Sequence, residues 1–142
     1  MQEKLNVGSP EVFKAGSALA GGVARRGETC GALTGAIMAV CSVVGRERLE
    51  DRDQYGKAME EACRVYDRFD SEVGHTMCAE IHKKWFGKVY HLIIPEERTA
   101  FHEAGGHSRA GCPKVCGIAA RIAAEALLDI KEREFRATRQ HS

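Results

Sequence analysis

Apolar residues recur at helical spacing along most of the chain, and nowhere do they alternate long enough to make a convincing strand. The clearest run follows Asp51 and Asp53, either of which can cap a helix. Tyr55, Met59, Ala62, Tyr66, Phe69 and Val73 come at steps of three and four, and Gly74 ends the helix. Upstream, the stretch from Cys30 to Gly45, CGALTGAIMAVCSVVG, carries no charge. It predicts a helix from near Thr29 to about Gly45 that is apolar nearly all round and therefore central. On it, Gly31 and Gly35, and Gly35 and Ala39, share one face and let a neighbouring helix approach. Ser9-Pro10-Glu11 reads as the start of an earlier helix that runs toward Leu19 and loosens at Gly21-Gly22. A short helix over about Thr76 to Phe86 and a last one from Pro113 through IAARIAAEALLDIKEREF complete the set, the last fraying in a polar tail at about 137–142. Residues 87–111 read as mostly irregular, with Pro95 and Gly105-Gly106 as breakers. VYHLII at 89–94 is the only β-like run and has no partner. The pattern predicts an all-α fold: a compact bundle of about five helices, with a long irregular loop before the last, in a single domain over 1–142.

Composition narrows the function classes. The chain has 142 residues, 44% hydrophobic and 29% charged, enough for one domain with a real core. Its 21 Lys and Arg against 20 Asp and Glu give a formal charge of +1, with the basic residues spread among acidic ones. That balance points to no nucleic-acid groove and no anionic membrane surface. The uncharged run from Cys30 to Gly45 is shorter than the roughly 20 residues that cross a bilayer. The opening MQEKLNVGSPEVF lacks a charged-then-apolar leader, so the expected compartment is the reducing cytoplasm.

In that setting six cysteines call for an explanation. Neither C-x-x-C nor C-x-x-C-H occurs, so no thioredoxin-type pair, zinc ribbon or covalent haem is written locally. Position on the predicted helices divides them. Cys41, Cys63 and Cys116 fall within helices, and Cys41 and Cys63 read as buried, inert packing. Cys30, Cys78 and Cys112 each come within four residues after a chain-breaking glycine (Gly27, Gly74 and Gly111), at or just before a helix start. Cys112, before Pro113, reads as an N-cap. A helix start offers unpaired N–H groups and a positive dipole end, which favours the thiolate that ligates metal or attacks a disulfide.

Two neighbours could extend the set. His82 lies four residues after Cys78, and Cys116 four after Cys112, so each pair shares a helix face and can chelate. A histidine in the polar IHKKW run reads first as solvent-facing, with ligation as the alternative. His102 and His107, in FHEAGGHSRAGC, could reach Cys112 but read first as solvated loop residues. Trp85 and Phe86 are read as packing. No residue is assigned a catalytic role. The residues alone leave three readings: a cluster-binding redox protein with thiolate ligands, a thiol–disulfide protein or sensor without metal, or a zinc-binding helical interaction protein.

The runs GETCGALTGAIMAV and GCPKVCGIAARIAAE, with Cys78 after a long amphipathic helix between them, resemble the redox-active family named for its C…GCAxxG…C…C pattern. A related module occurs in split-Soret cytochromes. The resemblance runs from about residue 10 to 130, and its motif stands here as Cys30-Gly31-Ala32-Leu33-Thr34-Gly35. It implies that Cys30, Cys78 and Cys112 are the functional cysteines, with Gly31, Ala32 and Gly35 as motif positions. Through the cytochrome relatives it implies an iron–sulfur cluster of undefined type, and a redox partner protein of unstated identity. Family members usually carry a further cysteine upstream that this chain lacks. Any fourth ligand would then come from Cys116, a histidine such as His82, solvent or another subunit, which leaves a homodimer open.

Overall fold

The computed structural model describes residues 2–140. Among them are seven α-helices and no strand, so the all-α expectation holds with a larger helix count. They are α1 (Gln2–Leu5), α2 (Pro10–Ala15), α3 (Gly31–Val44), α4 (Arg52–Val73), α5 (Cys78–Phe86), α6 (Pro95–Glu103) and α7 (Cys112–Gln140). A 3-10 turn over Gly16–Leu19 follows α2 directly, which accounts for a first helix reading toward Leu19.

The start signals work as written. Ser9 caps α2 by accepting from the Val12 N–H, and Pro10 supplies a first-turn position that needs no donor. Asp51 caps α4 through the Gln54 N–H at 2.9 Å, and Gly74 ends it in the left-handed conformation at φ 92°.

Three long helices, α3, α4 and α7, pack against one another to form the core. Leu33 and Val40 from α3, Val65 and Phe69 from α4, and Ile122, Ala123 and Leu127 from α7 are at most 1% exposed. The buried face of α4 is Ala58, Glu61, Val65, Phe69 and Val73, one phase round from the predicted stripe. Tyr55, Met59 and Tyr66 are over 40% exposed. They form a second apolar row on the helix flank, where the Tyr66 hydroxyl bonds the Thr76 hydroxyl at 2.9 Å. Glu61 can occupy the buried row because Arg64 (2.7 Å) and Arg133 of α7 (2.6 Å) both donate to its carboxylate.

Two further differences concern the C-terminal half. Pro95 opens α6 rather than breaking the chain, since Pro at N1 followed by Glu96 and Glu97 is itself a helix start. The polar tail stays helical to Gln140, supported by one-turn contacts such as Arg136 to Glu132 at 2.5 Å. Residues 141–142 of that predicted tail lie outside the described residues.

Candidate functional site

The end of the bundle where α3, α5 and α7 begin is built from unusual backbone. After the 3-10 turn, Gly21, Gly22, Val23, Ala24 and Arg25 all have φ between 52° and 70°, a full left-handed turn. Each of the three non-glycine residues there costs about 1–2 kcal/mol. The turn reverses the chain so that residues 27–30 lie antiparallel to residues 76–79. An isolated bridge pairs Thr29 with Met77. The Cys78 N–H donates to the Glu28 carbonyl at 2.7 Å, and the Cys30 N–H donates to the Thr76 carbonyl at 2.8 Å. Cys30 and Cys78 are therefore fastened to each other by main chain. Gly22 is tight in this arrangement: a Cβ there would come within 2.6 Å of the Cys78 Cβ and 2.5 Å of the Glu28 backbone.

Cys112 arrives from the other side. Its N–H donates to the Gly106 carbonyl at 2.9 Å, and Gly106 itself lies flat on the Phe101 ring, with no room for a side chain. Of the predicted close-approach glycines, Gly31 fits its role against the Leu19 carbonyl of the 3-10 turn. Gly35 has nothing within 4 Å of where a Cβ would stand, so no helix uses that approach among the described residues.

The result is a cavity of about 400 Å³ lined by Cys30, Cys78, Cys112 and Cys116 together with His82 and His107. Ile81, Leu92, Phe101 and Val115 give it an apolar wall. All three cysteines predicted at helix starts thus meet in one place, drawn from three separate helices. Cys30 is the N-cap of α3, and Cys78 and Cys112 are the first residues of α5 and α7. Cys41 and Cys63 do not line the cavity. Cys63 is exposed and Cys41 only partly buried, so reading both as buried packing is corrected. Both lie on helix flanks next to, not within, the buried rows.

His82 overturns its first reading most clearly. It is 1% exposed, stacked on Phe101 at 4.3 Å between ring centres, with Phe86 and Tyr90 edge-on. Its Nε2 lies 3.6 Å from the Cys78 Sγ, while its Nδ1 is buried with no hydrogen-bond partner. The Tyr90 main chain faces the ring without closing a bond of normal geometry to Nδ1. Burial pushes the imidazole pKa down, opposed by that Tyr90 backbone contact, which leaves it a neutral ring. The burial comes from α6, the helix taken for loop, because Phe101 is the plate on which the imidazole rests. The turn spacing from Cys78 was the available signal. His107 touches the mouth of the cavity while exposed, with its Nδ1 3.1 Å from that of His102.

The thiols are not acidified as the helix-start argument expects. Burial first, then the neighbouring Cys30 and Cys112, pushes Cys78 up to about 12. Burial, Cys30 and Cys116 push Cys112 up to about 11. Cys30 is raised by burial too, although the backbone N–H groups of Ala32 and Leu33 at the α3 start pull it back. The helix end acts in the predicted direction at Cys30, and desolvation outweighs it everywhere. Among the described residues, no three His, Cys, Asp or Glu side chains close tightly enough on one point to hold a single metal ion.

The family model described as "Putative redox-active protein (C_GCAxxG_C_C)" matches residues 1–126. The chain belongs to this family. No curated protein and no solved structure matches it.

Proposed function

We propose that this member of the C_GCAxxG_C_C family is an electron-transfer protein holding an iron–sulfur cluster through Cys30, Cys78 and Cys112. The observation that carries this reading is their convergence: three cysteines far apart in sequence line one apolar-walled cavity. The donor set is soft thiolate, the type that iron–sulfur clusters take. Buried side by side, the three sulfurs can shed their protons together only beside a compensating positive charge, which a cationic iron centre would supply as it binds. A polynuclear cluster asks for ligands set apart by the width of its inorganic core, which suits a site without three donors at one point. When bound, the cluster supplies a one-electron redox centre. The chain's own residues do the rest. Backbone bridging fixes Cys30 against Cys78, Gly106 fixes Cys112, and Phe101, Ile81 and Val115 keep water away.

The alternative of thiol–disulfide exchange finds support in one observation: exposed Cys116 stands one turn from Cys112 at the cavity. Thiols held near 11 or 12 are poor nucleophiles at neutral pH, which favours the cluster. No helix of the described residues is long and apolar enough to cross a membrane. The reading places the protein in the reducing cytoplasm with a redox partner protein. Anaerobic purification followed by iron and acid-labile sulfide analysis tests it. A brown protein with iron and sulfide in comparable amounts is expected, and its loss from Cys30→Ser, Cys78→Ser and Cys112→Ser. A colourless protein without iron overturns the reading.

A further inference from the structure

We propose that His82 is a metal ligand of this site, chelating through Nε2 the same metal ion that Cys78 binds through its sulfur. The inference deepens the cluster reading and rests on it for the identity of the metal. The geometry of the pair, however, is independent of that reading.

The two side chains sit one turn apart on α5, with sulfur and Nε2 separated by 3.6 Å. For metal–sulfur and metal–nitrogen bonds of about 2.3 and 2.1 Å at a tetrahedral angle, the sulfur-to-nitrogen edge is also about 3.6 Å. The pair is set for one tetrahedral ion before any ion arrives, and rigidly so. Phe101 stacks on the ring, Phe86 and Tyr90 wall its edges, and the Cys78 backbone is tied to Glu28.

A packing role alone does not call for an imidazole: a phenylalanine or leucine could fill this aromatic slot, yet the ring places Nε2 against the Cys78 sulfur. Metal-binding histidines commonly present the nitrogen that is not ligating to a backbone carbonyl, which fixes the tautomer. The Tyr90 main chain faces the ring and is placed to take that part. Binding then replaces the Cys78 thiol–imidazole hydrogen bond with two metal bonds. The thiol proton leaves to solvent, and the neutral ring keeps its Nδ1 proton. Cys116, the other candidate for a fourth ligand, is an exposed residue one turn along α7.

The experiment has two arms. In the first, protein labelled with ¹⁵N-histidine is reconstituted anaerobically with iron and sulfide, and the paramagnetic state of the cluster is examined by pulsed electron paramagnetic resonance. Coupling to a directly bound histidine nitrogen is expected in the natural chain and absent from His82→Ala, while His82→Cys restores loading with a lower reduction potential. A loaded cluster without nitrogen coupling, indifferent to His82→Ala and lost from Cys116→Ser, overturns the proposal in favour of Cys116. In the second arm, Co²⁺ alone is titrated into the metal-free protein and its tetrahedral ligand-field bands are followed. His82→Ala should weaken binding by about tenfold or more, and Cys116→Ser should leave it unchanged. If no preparation takes up iron and sulfide, the cluster reading fails. The Co²⁺ bands then decide the chelate, and their survival unaltered in His82→Ala sinks it.

Discussion

The core of the three long helices and the cysteine end of the molecule are made by opposite means. In the core, regular backbone carries mostly apolar side chains, and the buried Glu61 is paired with two arginines. At the cysteine end the backbone runs left-handed through Val23, Ala24 and Arg25, and His82 keeps a nitrogen without a partner. Every one of these costs free energy, and none makes the fold more stable. Strain of this kind persists only where the surroundings impose it. The core supplies the stability, and the cysteine end uses some of it to hold donors in place.

Substitutions that touch one region and not the other can break that division. Phe69→Ala, at a site 0% exposed in α4, should destabilise by about 3–5 kcal/mol. The fraction that remains folded should still bind Co²⁺ or cluster normally. Chemical denaturation and metal loading, measured on the same sample, check both halves. Gly22→Ala should cost less, about 2–4 kcal/mol, from the left-handed φ of 69° and the clash with Cys78 and Glu28. It should also abolish loading, because the Cys78 anchor must move. Loading that survives Gly22→Ala but not Phe69→Ala would show the division to be wrong.

The pH dependence of the metal-free protein sharpens the same contrast. Cys78 near 12 and Cys112 near 11 keep their protons in the folded state well above the point, about 8.5, where an unfolded chain gives them up. From pH 9 upward the folded state therefore binds more protons than the unfolded state in a form that water would have ionised. Burial has penalised the thiolates, so stability is full below about pH 8.5 and falls as pH rises toward 12. Between pH 8 and 10 each thiol should account for a loss on the order of 2 kcal/mol, about 4 kcal/mol for the two together. Thermal melts across that range measure it, and Cys78→Ser should flatten the curve. A melting temperature that holds steady to pH 11 would mean the thiols are not buried as described.

What could be read in advance follows the same line. Caps at Ser9 and Asp51 and the stop at Gly74 are local signals, and the structure keeps each of them. Cys30, Cys78 and Cys112 could be chosen because glycines mark helix starts in sequence. Their meeting could not, since the left-handed turn that pairs 27–30 with 76–79 has three non-glycine residues in a conformation no propensity predicts. Nor could the acidity of the thiols, because a helix end is visible in sequence while the depth of burial over it is not. His82 was misread for the same reason: its neighbours in sequence are lysines, and its neighbours in space come from α6.

The smaller effects lie on the surfaces of the same helices, where the core rule should apply unmodified. Gly35→Ala, in α3 with open space around it, should stabilise by about 0.5–1 kcal/mol through helix propensity alone.

Cys63→Ser in α4 should change stability by less than about 0.5 kcal/mol. The thiol is exposed, beyond the reach of the cavity, and removes no buried contact. Its contribution to the comparison is in reactivity. With the metal removed, at pH 8, iodoacetamide should label Cys63 first and Cys78 last, since the former is exposed and burial keeps the latter both covered and protonated. Cys112, pushed up to about 11, should lag with Cys78 despite starting a helix. Peptide mass analysis over a time course resolves the order. Were Cys112 labelled as fast as Cys63, the helix end would outweigh desolvation after all, the cavity would be wetter than its lining suggests, and thiol exchange would regain ground over the cluster.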